Sequence, residues 1–252
     1  MLVRKWLIFV VSLVFAASMA GCKMGSKSKT SGSSNSATQA DGGETGVEKV
    51  KPAAGTGNVQ GKVLYNDKPA ENIEVKLCEK FNRFFGGCSG KTFTGKTGKD
   101  GEYVITNVEP LQYEVLMARV FDTDSFIFAT SGLAGISAKK YEVVADKTLF
   151  APTTNLYKGD LKLVNPKAGA KVSADKLELK WDAYPDAAYY KFSIFPEEAS
   201  VTSPYVNERV DGTTFTLDKP LQKGTYRWQV EAYSGSDKKL SESSNDIKFT
   251  IN

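Results

Sequence analysis

Few residues in this chain of 252 could do chemistry. It contains no histidine, and its three cysteines stand at positions 22, 78 and 88. The absence of histidine excludes catalytic triads that use an imidazole, and zinc or haem sites with histidine ligands. Glycoside hydrolysis would need two carboxylates beside a cleft, and the acids Glu197-Glu198 or Glu178 with Asp182 show no pattern that places them in one. We therefore expect no catalytic residues, no cofactor and no metal site.

The first cysteine follows a characteristic leader. A basic start at Arg4-Lys5, an apolar stretch over residues 6–17, and Met19 followed by the small residues Ala20 and Gly21 precede Cys22. This pattern resembles a bacterial lipoprotein signal peptide. The resemblance implies that residues 1–21 are removed and that Cys22 carries lipid, palmitate included, which anchors the chain to a membrane. A single uncleaved membrane helix is the alternative, but the apolar stretch is shorter than the ~20 residues that a bilayer needs.

The position of the anchor predicts a location. Lys23, rather than an aspartate, follows the lipid-bearing cysteine. That feature resembles outer-membrane sorting if the host is Gram-negative. We therefore expect a lipid-anchored envelope protein, on the outer membrane in such a host, whose body faces either the periplasm or the medium.

The segment after the anchor is predicted to be a flexible tether. Residues 23–57 contain 7 Gly, 6 Ser and 4 Thr and no aromatic residue, so they cannot bury a core. The predicted domains are thus the signal peptide (1–21), the lipidated cysteine with its linker (22–57) and two folded regions (58–158 and 159–252). From residue 58 onward the chain has 26 basic and 26 acidic residues. Because the positive excess lies outside the folded regions, nucleic acid is excluded as a partner.

The first folded region alternates apolar and polar residues with period two, which predicts strands of an antiparallel β-sandwich. The pattern runs through Gly61-x-Val63, Ile73-x-Val75, Gly101-x-Tyr103-x-Ile105 and Tyr113-x-Val115. We expect hairpin turns at residues 66–69 and 98–101. These residues resemble the carboxypeptidase regulatory-like domain, a transthyretin-like sandwich. The resemblance implies an accessory module without catalytic residues.

Cys78 and Cys88 predict a disulfide, because an exported protein meets an oxidising compartment and two thiols without histidine make a poor metal site. The loop that the bond would close, residues 79–87, contains Phe81, Arg83, Phe84 and Phe85. Aromatic and arginine side chains on a preorganised loop are typical of interface hot spots. These four residues are our candidate partner-binding residues. The alternative is that the phenylalanines fold down over an open end of the sandwich.

The second folded region also alternates with period two and carries large aromatics. Leu179-x-Trp181-Asp182, Pro185-Asp186-Ala187-x-x-Tyr190 and Leu221-x-x-Gly224-x-Tyr226-x-Trp228 resemble a fibronectin type III-like domain of bacterial surface proteins. The resemblance implies core roles for Trp181, Tyr190, Tyr226 and Trp228, with the Tyr226 hydroxyl bonded to nearby backbone. The predicted fold class is therefore all-β, with two antiparallel β-sandwich domains after a disordered tether.

The predicted function is to bind or position something in the cell envelope, without catalysis. The leading hypothesis is a protein partner held through strand edges or the disulfide loop. The alternative is glycan binding, for which Tyr189, Tyr205 and Tyr233 are candidate platforms. A pure spacer is a third possibility. Asp122 and Asp124 alternate as calcium ligands do, but the glycine and distal glutamate of a calcium loop are missing, which favours a solvated turn.

Overall fold

The fold is all-β. The computed structural model describes residues 46–82, 87–129, 140–175, 177–244 and 247–252, and these ranges contain strands and turns but no helix. They form two sandwiches, each with its own buried apolar cluster. The predicted fold class is therefore confirmed.

The first sandwich is built from eleven described strands. They are β1 (Gly57–Tyr65), β2 (Lys68–Pro69), β3 (Glu74–Phe81), β4 (Cys88–Lys96), β5 (Glu102–Val108), β6 (Gln112–Tyr113), β7 (Val115–Arg119), β8 (Phe126–Phe128), β9 (Tyr141–Glu142), β10 (Thr148–Phe150) and β11 (Thr154–Leu156).

Two sheets face each other in this sandwich. Strand β1 is the centre of one sheet, pairing antiparallel with β2 and β5 and parallel with β10 and β11. The other sheet has the order β4-β3-β7-β8, and β6 pairs with β9. Val59, Val63, Leu77, Ile105 and Leu116 are buried between them. The alternation that the sequence shows thus produces the core, but the parallel pairs with β10 and β11 make the first sheet mixed.

The two predicted hairpin turns have different outcomes. Asn66 and Asp67 have positive φ values of 51° and 60° and join β1 to the short antiparallel strand β2. Residues 98–101, by contrast, connect strands of different sheets, because β4 pairs with β3 whereas β5 pairs with β1. Gly101 is needed at this crossing: its φ is 73°, and a Cβ there would lie 2.6 Å from the Val63 carbonyl oxygen.

Part of the predicted tether lies against the first sandwich. The Gln60 side chain accepts a hydrogen bond from the Lys49 amide (3.0 Å) and donates one to the Val47 carbonyl (2.9 Å). The Asn58 side chain donates to the Val50 carbonyl at 2.7 Å. Asn58 and Gln60 are both buried, although they are polar. The described start of the chain is therefore held by two side-chain amides of β1.

The second sandwich has ten described strands. They are β12 (Lys158–Leu161), β13 (Leu163–Asn165), β14 (Ala170–Val172), β15 (Glu178–Trp181), β16 (Tyr189–Pro196), β17 (Glu208–Val210), β18 (Thr214–Thr216), β19 (Gly224–Tyr233), β20 (Lys239–Ser243) and β21 (Lys248–Ile251).

The larger sheet of this sandwich has the order β12-β20-β19-β16-β17, with β21 paired to β19 and β14 paired to β21. The smaller sheet has the order β13-β15-β18. The pairs β12–β20 and β14–β21 are parallel, and the others are antiparallel. At the start of this region the chain therefore alternates between the two sheets: β12 and β14 join the larger sheet, whereas β13 joins the smaller one.

Aromatic side chains fill the second core. Trp181, Tyr190, Tyr226 and Trp228 are all buried, as the sequence predicts for core positions. The Trp181 ring lies 5.6 Å from that of Tyr190. The Tyr226 hydroxyl donates to the Gln222 carbonyl at 2.8 Å, the local backbone bond that the resemblance implies. These four residues are thus placed to stabilise the domain rather than to contact a ligand.

Candidate partner-binding face

Cys78 and Cys88 form a disulfide, with Cα atoms 5.5 Å apart, and the predicted crosslink is confirmed. Strand β3 continues beyond Cys78 to Phe81, and β4 begins at Cys88. Cys78 lies opposite Thr92 in this pair of strands and Cys88 lies opposite Phe81, so the bond runs diagonally across the ladder. The disulfide therefore crosslinks β3 and β4 near one end of this strand pair.

Phe81 is the one candidate partner-binding residue that the structure describes. Its ring meets the ring of Phe128 edge-on, with centroids 5.4 Å apart, and its amide donates to the Glu114 carboxylate at 3.0 Å. Phe81 is half-buried, in agreement with the alternative that the phenylalanines fold down over the sandwich. It covers the outer face of a sheet, however, and not an end of the sandwich. Arg83, Phe84 and Phe85 lie outside the described residues.

This outer face belongs to the sheet β4-β3-β7-β8. We call it the Phe126 face and define it by six side chains directed away from the core: Cys78, Phe81, Val115, Met117, Phe126 and Phe128. Val115 and Met117 are buried there together with Cys78, and Phe128 remains 38% exposed. The sandwich thus has a second apolar layer outside its core.

Val115 and Met117 point outward, so the predicted alternation that places Tyr113 and Val115 on the same face is wrong. Tyr113 does enter the core, but so do Leu116 and Ala118. The phase changes at Glu114, whose amide donates to the carbonyls of Cys78 and Glu79 and interrupts the strand between β6 and β7. The sequence signal that was missed is the pair Phe126 and Phe128, because aromatics on both sides of an apolar Ile127 indicate a strand that is apolar on both faces.

Two cations flank the ring of Phe126. The Lys76 ammonium lies 5.0 Å from the ring centroid and the Arg119 guanidinium carbon 5.5 Å from it. Both cations share the Glu74 carboxylate, each at 3.4 Å, so this part of the face carries a net positive charge. Arg119 Nε is buried and has no hydrogen-bond partner within the described ranges. The exposed part of the Arg119 side chain, 36% accessible, and the excess positive charge would attract a carboxylate from another molecule.

Strand β8 also offers backbone groups. Among the described strands it pairs with β7 alone, so within the described ranges β8 is the edge of its sheet. An edge strand with exposed hydrogen-bonding groups is a template for an added strand. In the part of the chain that the structure describes, the Phe126 face therefore combines apolar area, positive charge and the edge strand of a sheet.

The three tyrosines considered as sugar platforms do not present free rings. Tyr189 is buried between the ring of Tyr233, stacked at 5.1 Å, and the Arg209 guanidinium at 3.9 Å. The other neighbour of Tyr233 is the Lys191 ammonium, 4.8 Å from the ring centroid. Tyr205 is buried in the second core, and its hydroxyl bonds Asp218 and Lys219. Burial is the largest cause that raises the pKa of Tyr189, Tyr205 and Tyr233 above the ordinary value of 10.0, whereas the Arg209 guanidinium acts to lower that of Tyr189.

The described ranges contain no group of three or more metal-ligating side chains. Asp122 and Asp124 lie in the turn between β7 and β8, where the Thr123 hydroxyl donates to the Val120 carbonyl at 2.7 Å. A search of the same residues for a helix with the length and hydropathy of a membrane span finds none. Cys22 lies outside them.

Comparisons with known proteins give structural likenesses only. No protein-family model matches the chain, and no curated protein matches it. One similar solved structure comprises the CbhA fibronectin(III)-like modules of Clostridium thermocellum, with 16% identity, a TM-score of 0.30, and coverage of 80% of this chain and 91% of that one. Another is the FN1–FN3 domains of chicken CNTN1, with 12% identity, a TM-score of 0.29, and coverage of 80% and 68%.

Proposed function

We propose that this protein is a non-catalytic binding lipoprotein of the cell envelope, anchored through lipid on Cys22, which holds a protein partner at the Phe126 face. The observation that carries the proposal is the exposed ring of Phe128 on β8, the edge strand of its sheet among the described residues. A monomer normally covers such an edge or charges it. Here the edge stands beside an apolar layer that a disulfide supports.

The chemistry of this face identifies the kind of partner. We infer that the partner supplies an extended segment that pairs with β8, places apolar side chains over Phe126 and Phe128, and directs a carboxylate at Arg119. Two cations share one carboxylate there, which makes an acidic segment complementary. Backbone pairing supplies affinity, and the side-chain contacts supply specificity.

Photo-crosslinking in the native envelope tests this proposal. A benzophenone amino acid replaces Phe128, and a matched probe replaces Val206, an exposed apolar residue of the second sandwich. We expect one protein adduct from position 128, none from position 206, and loss of the adduct when Arg119→Glu reverses the charge. Equal adducts from both positions, or none from position 128, would contradict the proposed face. In the second case a spacer role would replace it.

The lipid anchor requires a separate test. Mass spectrometry of the mature N-terminal peptide should find a diacylglyceryl cysteine at position 22, with an added acyl chain such as palmitate on its amine. The Cys22→Ser variant should lose membrane association while the Lys23→Ser variant keeps it. Retention of the Cys22→Ser variant in membranes through its uncleaved leader, with no acylated peptide from the unaltered chain, would favour the single membrane helix.

Glycan binding is the second candidate function that the sequence offers. The rings it would use are covered by Arg209, Lys191 and each other. A sugar-array signal that disappears on Tyr233→Ala and persists on Phe128→Ala would support this function instead of protein binding.

A further inference from the structure

The two sandwiches are joined by a very short connection. Strand β11 ends at Leu156 in the first core, and β12 begins at Lys158 and pairs with β20 of the second sandwich. Only Tyr157 lies between them, and the Lys239 ammonium sits 3.7 Å from the centroid of its ring. Because the residues on both sides are fixed in different sheets, the connection has little freedom to bend.

A hydrogen-bonded cluster crosses the same boundary. The hydroxyls of Tyr65 and Tyr184, one from each sandwich, are 3.5 Å apart. Tyr184 donates to the Asp160 carboxylate at 2.9 Å, and Ser241 donates to the same oxygen at 2.8 Å. Burial is the largest cause that raises the pKa of the Tyr184 phenol. Its hydroxyl is therefore protonated at neutral pH and can donate a hydrogen bond.

Turns from both sandwiches meet beside this cluster. Asn66 donates to the Asp186 carboxylate at 3.0 Å, and Asp67 accepts a hydrogen bond from Ser236 and lies 3.8 Å from the Lys238 ammonium. Asn66, Asp67 and Asp186 all have positive φ. These residues therefore serve two purposes, because they make tight turns and also present short polar side chains to the neighbouring sandwich.

A cation adds a third contact. The Lys158 ammonium lies 5.4 Å from the ring centroid of Tyr65 and 5.1 Å from that of Phe121. The two rings meet edge-on at 5.3 Å. Lys158 is the first residue of β12, whereas both rings belong to the first sandwich, so the contact joins the start of one domain to the side of the other.

We propose that these contacts form a locked junction, defined by Tyr65, Asn66, Asp67, Asp160, Tyr184 and Asp186, which holds the two sandwiches as one rigid body. Domains that are joined by a flexible linker and a small interface move relative to each other. Here the linker is one residue, and the interface contains hydrogen bonds, an ion pair and cation–π contacts in separate places. The junction fixes the direction in which the second sandwich points from the Phe126 face.

Distance measurements between the sandwiches test this inference on the full chain. Keto amino acids at the exposed positions Thr94 and Lys180 take hydroxylamine nitroxides and leave the cysteines untouched. Pulsed electron resonance then gives the distribution of label separations. We expect a single narrow distribution for the unaltered junction, and one about twofold broader for Tyr184→Phe combined with Asn66→Ala and Asp67→Ala.

A matched control distinguishes the junction from general loss of stability. Tyr226→Phe also removes one tyrosine hydroxyl bond from the second sandwich, but its partner Gln222 lies within that sandwich. This variant should keep the narrow distribution, and thermal unfolding should show all variants folded at the temperature of labelling. A broad distribution in the unaltered chain, or no broadening in the triple variant, would overturn the proposal. Neither result bears on whether Phe128 meets a partner.

Discussion

The two sandwiches stabilise similar architectures by different means. The second buries five large aromatic side chains almost completely: Trp181, Trp228, Tyr226, Phe192 and Phe249. Among the described residues, the first buries only Tyr103 and Tyr113 to that degree, and it contains the disulfide. A core with fewer aromatics gains less from apolar burial, and a crosslink that restricts the unfolded chain compensates.

One device is common to both. The Tyr113 hydroxyl donates to the Glu109 carbonyl at 2.8 Å, and the Tyr226 hydroxyl donates to the Gln222 carbonyl at the same distance, four residues back in each case. Burial raises the pKa of both phenols. The two sandwiches therefore share the tyrosine hydroxyl bond to the backbone at this corner, whereas the number of aromatic side chains in their cores differs.

The largest effect is expected from the aromatic core. Trp181→Ala should lower the free energy of unfolding of the second sandwich by about 3 to 5 kcal/mol, because it leaves a cavity at a fully buried position. Denaturant unfolding followed by the fluorescence of Trp228 measures this change. Trp181→Phe should cost less, since Trp181 Nε1 has no hydrogen-bond partner to lose within the described residues. An alanine variant as stable as the unaltered protein would refute the core role.

Removal of the crosslink should come next. Cys78→Ser with Cys88→Ser should destabilise the first sandwich by about 2 to 3 kcal/mol, because the unfolded chain regains the entropy of the closed loop. Hydrogen exchange of amides in β3 and β7 measures the loss. Tryptophan fluorescence, which reports on Trp181 and Trp228, should shift much less. Equal losses in both sandwiches would show that the bond does not act locally.

The shared corner should give smaller and equal effects. Tyr113→Phe and Tyr226→Phe should each cost about 1 kcal/mol, the net value of one hydrogen bond, in their own sandwich. Hydrogen exchange resolved by sandwich separates the two. If one variant cost several times more than the other, the two tyrosines would not perform the same task.

The smallest effect is expected at Tyr103, a core residue of the first sandwich whose hydroxyl is buried without a partner in the described chain. Tyr103→Phe should leave stability at pH 7 unchanged or slightly higher, because no hydrogen bond is lost. Burial raises the pKa of this phenol above its ordinary 10.0. The contribution of the protonated Tyr103 phenol to the free energy of unfolding is therefore complete below pH 10. It is lost as the pH rises, because this phenol ionises at a lower pH in the unfolded chain than in the folded one.

Unfolding of Tyr103→Phe and unaltered protein at pH 7 and at high pH checks this sign. The stability of the phenylalanine variant relative to the unaltered protein should be equal or slightly higher at pH 7 and should increase above pH 10. An advantage that is the same at both values would show that the hydroxyl is not buried in the folded chain.

Much of the fold could be predicted from the sequence, since period-two alternation is a local signal. It located β1, β3, β5, β16 and β19, and the cysteines predicted their bond. It did not show which strands share a sheet, because pairing depends on contacts distant in the chain. The parallel pairs β1–β10 and β1–β11 join residues about 90 positions apart.

The candidate site was less predictable for two physical reasons. A single irregular residue, Glu114, moved Val115 and Met117 to the outer face, and alternation alone cannot detect such a change of phase. Positions 58 and 60 also look like polar, outward residues, yet Asn58 and Gln60 are buried by the chain that they bind. Burial caused by a segment of low hydrophobicity leaves no apolar signal.

The hold of Asn58 and Gln60 on residues 47–50 determines how the protein would respond to tension. A force pulling the N-terminus away from the second sandwich would first load these few side-chain hydrogen bonds, which would break one after another at low force. The load would then pass to β1, whose parallel neighbours β10 and β11 lie along the direction of pull, so their bonds would resist together in shear. The chain would thus yield slightly at first and then become stiff.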